Sequence, residues 1–110
     1  GDVYKRQRID SQVQIQGFRV ELGDIEHSVR KKYKVKNILS LTKKDHLNRN
    51  QIYLFIEDLS KNITSNKIKE YLKNHIPGYM IPKKIYVMEK FPINSSSKVD
   101  KKKLKTYLET

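Results

Sequence analysis

The stretch that decides the fold is "QIYLFIED" (51–58), a run of apolar, β-branched and aromatic residues that is typical of a β-strand. A second run of this kind, "NILSLTKK" (37–44), comes before it, and the polar segment "DHLNRN" (45–50) separates the two. Segments with this spacing are most simply joined as a β-hairpin. We therefore expect two neighbouring strands in the middle of the chain.

Helical patterns lie on both sides of this hairpin. In "LGDIEHSVRKKY" (22–33), apolar residues recur at helical spacing, and the acidic residues near the start and the basic residues near the end suit the helix dipole. In "NKIKEYLKNHI" (66–76), an apolar stripe predicts a second amphipathic helix, with Ser65 or Asn66 as its N-cap. We expect two helices, each with one apolar face.

The last third of the chain contains shorter elements. "PGYMIP" (77–82) predicts an ordered turn, in which we expect Tyr79, Met80 and Pro82 to have a packing role. The remaining segments are a strand candidate, a loop and a short terminal helix capped by Asp100, namely "KKIYVMEKF" (83–91), "PINSSS" (92–97) and "DKKKLKTYL" (100–108).

The N-terminal region "QVQIQGFRVEL" (12–22) alternates polar and apolar residues on both sides of Gly17. The alternation predicts two short strands with a β-hairpin or kinked ribbon at the glycine. It assigns Val13 and Ile15 to one face, and Phe18, Val20 and Leu22 to another. The whole chain is therefore predicted to be an α+β domain: a small sheet of about three strands, flanked by two or three helices, with an N-terminal β-hairpin or ribbon.

Length and composition set bounds on function. A chain of 110 residues is one small domain, in which a complete two-substrate active site would not fit comfortably. Cysteine is absent and the three histidines are scattered, so we expect no disulfide framework and no metal site. No apolar run approaches the roughly 18 residues of a membrane span, and no apolar core of a signal peptide is present. We expect a cytoplasmic protein with no membrane partner.

The charge is strongly basic, with a formal net charge of +12 from 24 lysines and arginines. Such a surface favours a polyanionic partner, which could be nucleic acid, a nucleotide, a membrane surface or an acidic protein. An AT-rich coding sequence would also give many lysines, isoleucines and asparagines. Composition alone therefore makes Lys98, which stands between three serines and Val99, a solvated charge.

Three segments change this interpretation. "RIDSQVQIQGFRVELGDIE" (8–26), "IPGYMIP" (76–82) and "SSSKVDKKKL" (95–104) resemble, in order and spacing, three motifs of the adenylate-forming superfamily. The similarity is to the C-terminal subdomain of amino-acid adenylation domains, in nonribosomal peptide synthetases and D-alanine-carrier-protein ligases. It covers residues 8–110, which are predicted to form a mobile lid. Residues 1–7 fit no motif and remain unassigned, as a truncation junction, a sequencing scar or a remnant of cloning.

The resemblance implies a role for several residues. Lys98 matches the family's catalytic lysine, although Ser96 and Ser97 replace the usual Asn-Gly before it, and a turn that needs a positive φ is then less comfortable. Asp10 matches the hinge residue about which the lid rotates. Arg8 matches the arginine before that hinge, which either approaches the nucleotide phosphates or pairs with a carboxylate.

A second set of matches lies at the N-terminal glycine. Gly17, with Phe18 and Arg19, matches the turn that the rotated lid brings to the active site for thioester formation. Arg19 and Glu21 either act there or pair with each other. Gln14 departs from the family pattern, which usually has a lysine at this position.

The resemblance also implies reactants and partners. The complete enzyme would use ATP and Mg²⁺ and would load an amino acid onto the phosphopantetheine thiol of a peptidyl or D-alanyl carrier protein. The large N-terminal adenylation subdomain would be a further partner, and this chain alone is predicted to be inactive. Two alternatives remain open: a small basic nucleic-acid-binding module, disfavoured because no RNA-binding signature is visible, and a non-catalytic domain that docks a carrier protein.

Overall fold

The computed structural model describes residues 12–60 and 62–108, which form five strands and three α-helices. In chain order these are β1 (Gln12–Ile15), β2 (Phe18–Glu21), α1 (Leu22–Lys32), β3 (Asn37–Lys44), β4 (Asn50–Glu57), α2 (Ser65–Lys73), β5 (Lys84–Met88) and α3 (Lys101–Thr106). A short 3₁₀ helix, Gly78–Met80, lies in the predicted "PGYMIP" turn. The α+β class, the small sheet and the N-terminal hairpin are all confirmed.

The central sheet has the strand order β3-β4-β5. Strands β3 and β4 are antiparallel and form the predicted hairpin, whereas β5 returns through α2 and pairs with β4 in parallel. β4 is therefore the middle strand, and its residues from Ile52 to Glu57 are all buried. Burial on both faces explains why this segment is a continuous apolar run rather than an alternating one.

Each face of the sheet has its own apolar core. Ile52, Leu54 and Ile56 of β4 belong to the first core, together with side chains of the N-terminal hairpin, α1 and α2. Tyr53 and Phe55 belong to the second core. Its other buried members come from β3, the segment after β5, and the C-terminal part of the chain, namely Leu41, Phe91, Leu104 and Leu108. The sheet thus separates two groups of contacts, with α1 and α2 on one side and α3 on the other.

The N-terminal hairpin packs against the first core. Its register places Val13 opposite Val20 and Ile15 opposite Phe18. Directly opposite residues of an antiparallel pair lie on one face, so the predicted division of these side chains between two faces was wrong. The turn consists of two residues, Gln16 and Gly17, so Ile15 and Phe18 lie directly opposite each other. The prediction had placed the turn at the glycine alone. Ile15 and Val20 are both buried on the shared face.

Helix caps follow the sequence in one case and depart from it in another. Asp100 caps α3, and its side chain accepts a hydrogen bond from the backbone N–H of Lys103, as predicted. The predicted cap of α2 was wrong by one residue or two, because Thr64 is the N-cap and accepts from the N–H of Lys67. Three successive residues can serve as a cap here, and Thr64 is the one with extended backbone.

Asp45 fixes the loop between β3 and β4. Its carboxylate accepts hydrogen bonds from the backbone N–H and the guanidinium of Arg49, the side-chain amide of Gln51 and the backbone N–H of Leu47. These donors, the Arg49 N–H first and the Gln51 amide next, hold the pKa of Asp45 well below its usual range. The loop is therefore an ordered connection at the end of the sheet.

None of the helices in residues 12–60 and 62–108 is both long enough and apolar enough to cross a membrane.

The predicted packing role of the "PGYMIP" turn is confirmed, because Met80 and Pro82 are buried and Tyr79 packs against the first core.

Candidate functional site

Lys98 lies in a tight loop between β5 and α3. Ile93 and Val99 form an isolated antiparallel bridge at the base of this loop. Above the bridge, the N–H of Asn94 donates to the carbonyl of Lys98 at 2.8 Å, and the N–H of Ser97 donates to the carbonyl of Asn94 at 3.0 Å. The loop is thus a small hairpin, with Lys98 on its returning arm.

Ser97 carries the conformational strain of this hairpin. Its φ is +63°, in the left-handed region that disfavours residues with a Cβ. A turn followed by one left-handed residue is a common way to close a short hairpin loop, and glycine is preferred at that residue. The resemblance predicted a turn with a positive φ here, and the positive φ of Ser97 confirms that expectation.

Replacing Ser97 by glycine is expected to stabilise the 110-residue chain by about 0.5 to 1 kcal/mol. Relief of a left-handed strain of about 1 to 2 kcal/mol is partly offset by the greater freedom of glycine in the unfolded chain. Urea denaturation measures the change. The matched control is Ser95→Gly, at a position without a positive φ, which is expected to be destabilising. A Ser97→Gly variant less stable than the parent would contradict the assignment of strain.

The side chain of Asn94 holds the tip of the loop from inside. Its Oδ1 accepts the backbone N–H of Ser96 at 2.8 Å and that of Lys98 at 3.2 Å. Sequence reasoning did not single out Asn94. The only sequence signal was an amide residue at the start of a serine-rich turn, a position where asparagine often binds backbone N–H groups.

The base of the loop is anchored in the second core. Phe91 is buried there, and its backbone N–H donates to the Glu57 carboxylate at 3.1 Å. Glu57 is itself only 4% exposed, and it also accepts from the side-chain amide of Asn37 at 2.6 Å. A buried carboxylate with two donors is costly to disturb. Glu57 was also missed from the sequence, in which it is simply the polar residue at the end of an apolar run.

The Lys98 side chain is exposed and forms no ion pair with a carboxylate of the residues that the structure describes. Its ammonium group is therefore available to an anion outside this part of the chain. Its backbone is held by hydrogen bonds within the loop, and its ammonium group is exposed. A lysine that stabilises charge on a phosphate needs both features.

Gly17 lies at the tip of the N-terminal hairpin. Gln16 and Gly17 have φ values of +51° and +84°, as in a type I′ turn. A Cβ added at Gly17 would have no atom of the described residues within 4 Å, so the tip faces open space. Phe18 is 51% exposed and stacks on Tyr79 with ring centroids 4.1 Å apart. The guanidinium of Arg19 donates to the side-chain oxygen of Gln12.

The structure does not bring Lys98 and Gly17 together. The Gly17 hairpin packs on the first core, and the Lys98 loop stands on the second, so the two lie on opposite sides of the central sheet. The other two predicted site residues, Arg8 and Asp10, are outside the described residues. Within 12–60 and 62–108, no three histidines, aspartates or glutamates are grouped in a way that could hold a metal ion.

Comparison with known proteins gives consistent matches to parts of large enzymes. No protein-family model matches the chain. The chain is similar to bacitracin synthase 3 of Bacillus licheniformis, with 37% identity over 97 residues that cover 88% of this chain and 2% of the relative. It is also similar to L-allo-isoleucine:holo-[CmaA peptidyl-carrier protein] ligase of Pseudomonas savastanoi pv. glycinea, with 31% identity over 106 residues that cover 94% of this chain and 18% of the relative.

Solved structures agree on the fold. Apo MatB from Rhodopseudomonas palustris matches with a TM-score of 0.76 at 21% identity, over 93% of this chain and 21% of that chain. The likeness at this identity concerns the fold alone. The chain spans less than a quarter of the length of each of these three proteins, so each match is to one segment of a larger enzyme.

Proposed function

We propose that this chain, which belongs to the C-terminal subdomains of nonribosomal peptide synthetase adenylation domains, is a mobile catalytic lid. These domains are part of the adenylate-forming family. The lid would serve an amino-acid-activating enzyme. In the complete enzyme, an amino acid and ATP give an aminoacyl-adenylate and pyrophosphate. The aminoacyl group then passes to the phosphopantetheine thiol of a carrier protein, and AMP is released.

The observation that carries this proposal is the position of Lys98 and Gly17 on opposite sides of the sheet. A rigid domain of this size can present only one of these sides to a site on a second domain. A lid that rotates presents them in succession, with Lys98 serving the first step and the Gly17 turn the second. Asp10 is the proposed hinge, and Arg8 the proposed neighbour of the nucleotide.

The chemistry of the first step requires a positive charge like that of Lys98. When the carboxylate oxygen of the amino acid attacks the α-phosphorus of ATP, the bond from that phosphorus to the pyrophosphate oxygen breaks, and negative charge builds on the phosphoryl oxygens. An exposed ammonium on a fixed backbone can stabilise this charge. Mg²⁺ would accompany the pyrophosphate part of ATP. The nucleotide itself would be held mainly by the N-terminal subdomain.

The second step requires close approach at the Gly17 turn. Transfer of the aminoacyl group needs a long, thin pantetheine arm to reach a buried carbonyl, and a turn without a side chain leaves room for it. The exposed Phe18 ring, held by its stack on Tyr79, would form one apolar wall beside that path. The name of the L-allo-isoleucine ligase, which includes a peptidyl-carrier protein, supports a partner of this kind.

Replacing Gly17 by alanine separates the two steps. In an enzyme that joins this chain to an N-terminal adenylation subdomain, we expect carrier loading to slow by at least about tenfold, which corresponds to about 1.4 kcal/mol. Amino-acid-dependent ATP–pyrophosphate exchange should change by less than about threefold, because the turn is on the side away from Lys98. The 110-residue chain alone should give no exchange and serves as the blank.

Gly78→Ala is the control for adding a methyl group to an exposed glycine, whereas Gly17→Ala also places a Cβ at a positive φ. A Cβ at Gly78 would likewise have nothing within 4 Å in the described part of the chain, and Gly78 has no positive φ. Its substitution is expected to leave both steps unchanged. An equal loss of exchange and loading in Gly17→Ala would contradict a separate role for this turn, and exchange by the isolated chain would overturn the lid proposal.

A further inference from the structure

We infer that Asn94 is a positioning residue for Lys98, and this inference rests on the proposed function of Lys98. Asn94 occupies the outgoing arm of the loop, opposite Lys98 on the returning arm. Its backbone N–H and carbonyl bond to Lys98 and Ser97, and its side-chain oxygen accepts two further hydrogen bonds. No other side chain among the described residues is hydrogen-bonded to the tip of this loop.

The side-chain bonds act directly on the backbone that carries the lysine. Asn94 Oδ1 accepts the N–H of Lys98 itself at 3.2 Å and the N–H of Ser96 at 2.8 Å. Ser97, between them, is held at a φ of +63°, which a residue with a Cβ leaves readily unless its neighbours are fixed. A loop with glycine at this position would not need that support, whereas this chain does. Asn94 thus offsets the strain of Ser97 and keeps the Lys98 backbone in one conformation.

A lysine in this role must be held in position as well as charged. Chemical steps depend steeply on geometry, and a displacement of about 1 Å can cost about 100-fold in rate. The loop is exposed from Ile93 to Lys98, so packing contributes little to holding its tip. Its conformation therefore depends on hydrogen bonds, and an unmade one leaves the backbone free to move. Loss of both side-chain bonds should reduce the fraction of loops in the productive conformation by about tenfold.

The test compares Asn94→Val with Asn94→Thr in the enzyme that joins this chain to an N-terminal adenylation subdomain. Valine and threonine have nearly the same shape, but only threonine has an oxygen that can accept the turn N–H groups. We expect Asn94→Val to lower kcat for ATP–pyrophosphate exchange about tenfold with little change in KM for the amino acid, and Asn94→Thr to restore at least half of the rate. Equal rates in the two variants would overturn the inference.

A second variant distinguishes positioning from a general loss of structure. In a Lys98→Ala background, Asn94→Val should have no further effect on exchange, because Asn94 acts through the lysine. A tenfold loss that persists without Lys98 would overturn the inference. If Lys98→Ala alone does not lower exchange, the proposed function of the lysine fails; if it does and Asn94→Val retains the full rate, only the positioning role fails.

The same contacts can be tested in the 110-residue chain without any substrate. Amide hydrogen exchange should accelerate at Ser96 and Lys98 in Asn94→Val, because these two N–H groups lose their acceptor. The N–H of Asp58 donates to the Met88 carbonyl outside this loop, so it serves as the internal reference. Unchanged exchange at Ser96 and Lys98 would contradict the role of the Asn94 side chain.

Discussion

Replacing Lys98 by alanine in the complete enzyme is expected to lower the adenylation rate by at least about 100-fold. A positioned charge that stabilises a transition state contributes about 3 to 4 kcal/mol, and alanine removes the whole ammonium group. The stability of the fold should change by less than about 0.5 kcal/mol, because the side chain is exposed and unpaired with any carboxylate of the described residues. ATP–pyrophosphate exchange and urea denaturation measure the two effects independently.

Lys102→Ala is the matched control for Lys98→Ala. Lys102 is also exposed and lies near the start of α3, shortly after the loop. Its removal takes away one of the 24 basic residues without touching the loop. If the general basic charge attracts the nucleotide, the two variants should lose similar activity, and if Lys98 acts from a fixed position, only its variant should. A loss below about threefold in Lys98→Ala would make this residue an ordinary surface charge.

Much of the fold could be predicted because its signals are local. The continuous apolar run of β4 and the stripe of α2 are properties of neighbouring residues. The predicted hairpin faces were wrong because the turn comprises two residues, Gln16 and Gly17, rather than one glycine, and this sets which side chains lie opposite each other. The parallel return of β5 was likewise not predicted, since strand direction is decided by where α2 packs.

The candidate site was predicted unevenly. Lys98 and Gly17 were found only because three segments resemble known motifs, since a lysine in a basic chain and a glycine in a hairpin carry no signal of their own. Asn94 and Glu57 were missed because both act on backbone N–H groups, of Lys98 and of Phe91. Which backbone N–H a side chain reaches depends on the conformation of the folded loop, and residue types and their spacing do not predict that conformation.

The opposed positions of the two site elements were equally invisible in the sequence. Successive residues of β4 point to opposite faces of the sheet, so Leu54 lies in the first core and its neighbour Phe55 in the second. Leu54 therefore packs on the side of the Gly17 hairpin, and Phe55 on the side of the Lys98 loop. The proposed lid presents the Lys98 loop and the Gly17 turn in succession, so both cores must hold these elements in fixed positions. The second core is the smaller one and carries the Lys98 loop.

Phe55→Ala is expected to reduce the free energy of unfolding by about 3 to 5 kcal/mol. The Phe55 side chain is fully buried and stacks on Tyr86 with ring centroids 4.9 Å apart, so alanine leaves a cavity at the centre of the second core. Such a loss is a large part of the roughly 5 to 15 kcal/mol that typically stabilises a domain. Urea denaturation of the 110-residue chain measures it as a lower midpoint with an unchanged slope.

Phe18→Ala removes the same side chain from the exposed hairpin and is the matched control for Phe55→Ala. Phe18 is 51% exposed, so its removal should cost about 1 kcal/mol, mainly from the stack on Tyr79. If Phe55→Ala is too unstable to fold, Phe55→Leu retains an apolar side chain and should still be less stable than Phe18→Ala. Similar costs for Phe55 and Phe18 would contradict a second core. A large cost for Phe55 alone would mean that the Lys98 loop has a rigid base, as a lysine that acts from a fixed position requires.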